Sequence, residues 1–158
     1  MMDLKTFLDL SQLAVNLTGV VLLALTIWNI RLAARNFRRQ MNAQVYLAYN
    51  ERYETLMTDC PLDFRTTLLD LTLAEVDAKD RDKITLCMLR YLNLCSEEFH
   101  LKQDEYLSPE VWRLWQSEME STLWKPLYVS GWSELRAQFE SYPAFLRYVD
   151  RVQGSGGA

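Results

Sequence analysis

Histidine occurs once in the 158 residues, cysteine three times, proline four times and glycine five times. These scarcities exclude a good deal. One histidine, His100, cannot supply the two Glu-x-x-His pairs of a carboxylate-bridged di-iron bundle. It is also the sole partner a Cys-His catalytic pair could use, and Cys95 and Cys87 stand five and thirteen residues before it, neither facing it along a helix. No Gly-rich loop is present to cradle phosphate, and no GxSxG elbow to raise a serine nucleophile. So few glycines and prolines are too few for a turn-rich all-β chain, which leaves helix as the default. Cys60, Cys87 and Cys95 form no CxxC or CxxxC pair. Cys87 and Cys95 lie about 12 Å apart along one expected helix, too far to bridge. An odd number of free, buried thiols is the expectation, and it fits a reducing cytosol.

Charge is missing in one place above all. From Leu10 to Ile30 the chain carries 21 consecutive uncharged residues, and Arg31, Arg35, Arg38 and Arg39 follow within nine positions. At the helical rise such a run spans roughly 30 Å, the thickness of a bilayer's hydrocarbon core. The segment before it is slightly acidic, and Thr26-Ile27-Trp28-Asn29-Ile30 offers no small-residue cleavage site. Residues 10–30 therefore read as a retained transmembrane anchor rather than a signal peptide. The arginines place the N-terminus outside and residues 31–158 in the cytosol, with residues 1–9 a short extracytoplasmic tail and Trp28 near the inner interface. The expected location is the inner membrane of a bacterium.

Two faces of this segment carry interaction chemistry. Gln12, Asn16, Gly19, Leu23 and Thr26 follow spacings of three and four, so they share one helix face. Small and hydrogen-bonding residues on such a seam let a neighbouring helix approach and pair with it. Asn16 is its sharpest point, because an amide in hydrocarbon needs a partner. Arg31, Arg35, Arg38 and Arg39 share a second face that meets lipid headgroups, with an attraction of roughly 1 kcal/mol per basic residue. Beyond residue 39 the balance reverses to a net charge of -7. An acidic domain repels a polyphosphate backbone, so nucleic acid is not expected as a partner.

The cytosolic part reads as helical throughout. The anchor continues as a stalk over 31–59, ended by Cys60-Pro61. Next come a short helix around 62–71 and a Thr72-to-Glu75 capping box. A stronger helix over about 80–103 follows, with the core stripe Ile84, Cys87/Met88, Tyr91, Leu94/Cys95 and Glu98/Phe99. Ser108-Pro109-Glu110 starts a helix with Val111, Trp112, Trp115, Met119 and Leu123 on its buried face. Breaks are expected at Lys125-Pro126 and Ser130-Gly131. A helix from Ser133 to about Ser141, a last one from Pro143 to about Val152 and a flexible tail over 153–158 complete the reading. The fold class is all-α: one transmembrane helix running into a stalk helix, then a small cytosolic bundle over 60–152.

The layout resembles a loosely defined family of bacterial single-pass membrane proteins of unknown function. The residues that carry the likeness are Leu89-Arg90-Tyr91-Leu92-Asn93, Glu97-Glu98, the hinge Leu107-Ser108-Pro109-Glu110, then Trp112, Trp115, Trp132, Phe139 and Pro143-Ala144-Phe145. The Ser108-Pro109 start stands where a glycine-led turn is commoner in that family. The resemblance implies this fold and placement and no activity.

Function is then expected to be non-catalytic binding, by an accessory or scaffold subunit or a signalling adaptor. Its partners would be membrane lipids and either further copies of itself or a larger membrane protein, with no cofactor. The rival is a membrane-tethered enzyme or metal protein built on Glu97 and His100, extended by Asp104 at i+4. A third reading is a membrane-perturbing effector. The tryptophans 112, 115, 124 and 132 are expected to fill the core.

Overall fold

Before Pro61 no proline and no glycine but Gly19 interrupts the chain, and a single helix, α1, runs unbroken from Leu4 to Asp59. The computed structural model describes residues 3–64 and 66–154, and all regular structure among them is helical. After α1 come α2 (Ala78–Gln103), α3 (Pro109–Leu123), α4 (Pro126–Leu135) and α5 (Pro143–Gly154). Short 3-10 turns at Leu68–Asp70 and Arg136–Phe139 link them. The chain divides into two units, Met1–Met41 and Asn42–Ala158. All of the hydrophobic core lies in the second.

Local signals explain most boundaries. Asp77 caps α2 by accepting the Lys79 N–H at 3.2 Å, and Asp80 adds a negative charge to its first turn. At the other end Glu105 takes a left-handed conformation, φ 60°. Its N–H donates to the Lys102 carbonyl while that of Tyr106 donates to Leu101 at 2.9 Å. This is the Schellman closure that glycine usually makes. Ser108 caps α3 through the Val111 N–H at 3.3 Å, with Pro109 in the first turn, as its sequence predicts.

Several expectations need correction. Residues 62–71 form successive turns and one 3-10 turn instead of a helix. Thr66 and Thr67 are poor helix formers that follow a proline, and the Thr66 hydroxyl bonds to the Asp63 carbonyl. Glu75 does accept from the Thr72 N–H at 2.7 Å and its hydroxyl at 2.8 Å, but the pair closes a turn and α2 starts only at Ala78. Ser130-Gly131 does not break the chain: it lies inside α4. A Cβ on Gly131 would overlap the Met88 methyl and sit 3.3 Å from its Sδ, so the glycine serves close approach to α2 rather than a turn. Ser133 belongs to α4 as well, and 136–139 is a 3-10 turn. Of the expected tail, Gln153 and Gly154 close α5, and 155–158 lie outside the described residues.

Cysteine brings a further correction. Cys60, just past α1, and Cys87 on α2 are disulfide-bonded, their Cα atoms 5.9 Å apart. Spacing along one helix says nothing about a cysteine delivered from another, which is why the pair escapes sequence reading. Cys95 alone is free, and buried. The argument from free thiols to a reducing compartment therefore falls away.

α2 is the central element of the second unit and touches α3, α4 and α5. Of its expected stripe, Ile84, Cys87, Met88, Tyr91, Leu94, Cys95 and Phe99 are buried, and Leu92 joins them. Phe99 packs with Tyr148 at 4.9 Å, Phe145 at 5.9 Å and Trp112 at 6.2 Å between ring centres. Trp112, Trp115 and Trp132 are core residues. Trp124 is not: it remains 46% exposed. Trp132 enters the core because its indole N–H finds Asp150 at 2.8 Å, and Arg136 holds the same carboxylate at 2.9 Å.

Candidate functional site

Within the first unit, α1 contains a helix stretch long and apolar enough to cross a membrane, near the N-terminus. Every side chain from Gln12 to Arg39 is exposed. The structure brings together two of the seam residues: the Gln12 amide donates to Asn16 Oδ1 at 3.3 Å. Thr26 spends its hydroxyl on the Leu22 carbonyl at 2.8 Å. A Cβ on Gly19 would meet nothing within 4 Å. Leu23 lies on the same exposed surface. Arg31, Arg35, Arg38 and Arg39 are exposed and take part in no ion pair among the described residues.

In the second unit Glu97 is committed to α1 rather than to His100. Arg52 grips its carboxylate with both guanidinium nitrogens, one at 3.0 Å, and Tyr49 donates its hydroxyl at 3.1 Å. The Arg52 hydrogen bonds hold the Glu97 carboxyl below its usual range. His100 turns to its own helix, with Nδ1 2.6 Å from the Ser96 carbonyl and its ring edge-to-face with Tyr142. Asp104 caps the end of α2. Among the described residues no three His, Cys, Asp or Glu converge as a metal site.

The main concavity lies elsewhere, a cavity of about 740 Å³ enclosed by α1 from Tyr46 onward, α3, and parts of α2 and α4. Aromatic rings build its walls: Tyr46, Tyr53, Phe64, Tyr91, Trp115 and Tyr128. Tyr46 lies nearly parallel to Trp115 with centres 6.1 Å apart, and Tyr91 meets Tyr128 edge-on at 5.4 Å. Glu54 and Glu118, both exposed, add negative charge, and neither is in an ion pair among the described residues. Among the described residues no lysine or arginine lines the cavity.

Two further polar groups of this unit lie out of full solvent: Tyr128, which lines the cavity, and Glu98, which does not. Tyr128 is 2% exposed, and its hydroxyl is buried with no hydrogen-bond partner. An unsatisfied buried hydroxyl costs about 1–3 kcal/mol. Glu98, on α2, has a carboxyl raised to about 8, chiefly by burial and then by repulsion from Glu118 and Glu97. An unpaired charge in low dielectric is expensive, so this acid keeps its proton near neutrality.

Sequence reading assigned Tyr53 and Trp115 to packing faces and did not single out Tyr46, Glu54, Glu118 or Tyr128. The legible signal is the tyrosine face of α1, where 46, 49 and 53 recur at helical spacing. Nothing in sequence reports that α3 and α4 leave a gap opposite it. Compared with protein-family models, curated proteins and solved structures, the chain has no match.

Proposed function

We propose that this chain is a membrane-anchored, non-catalytic binding protein, an accessory or scaffold subunit or a signalling adaptor of a membrane complex. The observation that carries this reading is the uncharged stretch 10–30, whose described side chains are all exposed, followed by four unpaired arginines. An apolar surface of that extent has to be covered, and a bilayer covers it. The arginine excess supports an outside N-terminus and a cytoplasmic second unit in a bacterial inner membrane. The Gln12–Asn16 pair supports a helix-helix contact there. Its amides satisfy one another only in part, since one hydrogen bond leaves three of the four positions unused on each amide.

The decisive experiment is the mass and composition of the complex extracted from its native membrane in a mild detergent. A stoichiometric second protein or a defined homo-oligomer is the expected result; a monomer with no partner refutes the binding reading. Asn16→Leu should weaken the association that survives in detergent. Unchanged association would remove the seam.

A further inference from the structure

We propose that the aromatic cavity of the second unit binds a small organic cation, an ammonium ion seated against the Tyr46, Tyr53 and Trp115 rings beside Glu54 and Glu118. The proposal concerns residues 42–154 alone and holds whether or not α1 anchors the chain.

Several observations converge on that class of ligand. Aromatic faces attract cations through their quadrupoles, and here they line the walls on several sides. Among the described residues two carboxylates at the same cavity are in no ion pair, and no basic side chain shares the wall. Arg52, two residues before Glu54, is held by Glu97. The Tyr128 ring adds a further aromatic surface to the wall. The volume of about 740 Å³ falls within the ordinary range for small-molecule sites.

Rival occupants fit less well. An anion meets Glu54 and Glu118 with nothing to neutralise it. A purely apolar molecule makes no use of the carboxylates. The surplus of acids beyond residue 39 favours the cation further, by raising its local concentration at the domain surface.

Calorimetric titration of the full chain in a maltoside micelle, free of choline-bearing detergent, tests the assignment. The probes are choline and phenethylamine, each against an uncharged counterpart, 3,3-dimethylbutan-1-ol and 3-phenylpropan-1-ol. At least one cation should bind saturably, about tenfold or more tighter than its neutral counterpart. The double variant Glu54→Gln/Glu118→Gln should weaken that binding by about tenfold while leaving helicity unchanged, because both side chains are exposed. No saturable binding by either cation up to about 10 mM overturns the proposal. So does equal binding of the neutral counterparts, or insensitivity to the glutamate variants. Uptake of a Lys-rich hexapeptide with rejection of both small cations would also overturn it, giving the cavity to a protein partner instead.

Discussion

Replacing Glu98 with glutamine should stabilise the second unit, and more so as the pH rises. Glu98 sits on α2 with Glu97 next to it in sequence and Glu118 facing it from α3; Arg52, from α1, is the only cation acting on it. Arg52 is already engaged by Glu97. The carboxyl consequently stays protonated to about 8, against 4.5 for an unperturbed group. Between those two values the folded chain holds a proton that the unfolded chain has released. Stability therefore falls as pH climbs through this window, and the loss is complete once pH exceeds the folded value. At about 1.4 kcal/mol per pH unit the ceiling is just under about 5 kcal/mol. Partial solvent access and reorientation of Glu118 reduce this, so a loss of about 2–3 kcal/mol between pH 5 and pH 9 is expected.

Glutamine has the shape of the protonated acid and no proton to lose. Urea midpoints of the full chain in maltoside micelles, taken every half unit from pH 5 to pH 9, should decline in the parent and stay nearly level in Glu98→Gln. The two should agree within about 0.5 kcal/mol at pH 5 and separate by about 2–3 kcal/mol at pH 9. Parallel pH profiles would refute the reasoning outright. Glu97→Gln supplies the contrast: its carboxyl is held down by Arg52, so its loss should cost stability at neutral pH by about 0.5–1 kcal/mol, typical of an exposed pair.

Two further outcomes follow from the connections around the core. Glu105→Gly should raise stability by about 0.5–1 kcal/mol, because the left-handed conformation at φ 60° burdens any residue with a Cβ; an unchanged thermal midpoint would count against the Schellman closure. Reduction of Cys60–Cys87 opens a loop of 27 residues and should lower stability by about 2–4 kcal/mol, read as a drop in urea midpoint absent from Cys60→Ser/Cys87→Ser.

Helical periodicity and caps made much of the second unit legible. The α2 stripe, the Ser108-Pro109 start and the Pro143 start all stand where spacing and capping place them, because each is decided within a few residues. What failed was decided by contact between elements. Gly131 looks like a breaker from its neighbours alone, yet its missing Cβ makes room for Met88 from α2. Glu105 ends a helix in a conformation that points to glycine or asparagine, so nothing local announces it. The Glu97-x-x-His100 spacing suggested a shared face, but a bidentate arginine from α1 takes the carboxylate while His100 turns to the Ser96 carbonyl. The cavity was the least legible feature, being a space between helices rather than a pattern along one.

The cysteine pair and the arginines make opposing demands on topology, and timing reconciles them. On the proposed topology Arg31, Arg35, Arg38 and Arg39 would act during insertion, when the uncharged stretch enters the membrane and the positive flank stays behind. A disulfide forms afterwards, under the redox poise of whichever compartment the folded domain occupies. With the second unit in a reducing cytosol, Cys60 and Cys87 would be held by the fold at 5.9 Å between Cα atoms as a dithiol ready to close. The arginine reading thus makes a sharp demand on living cells. When growing cells are quenched in acid and alkylated before lysis, both thiols should carry the alkyl label, and the Cys60–Cys87 peptide should appear only after oxidation of the extract. Recovery of the oxidised pair from quenched cells would set the domain on the oxidising side of the membrane, and the four arginines would then lose their role as the orienting signal.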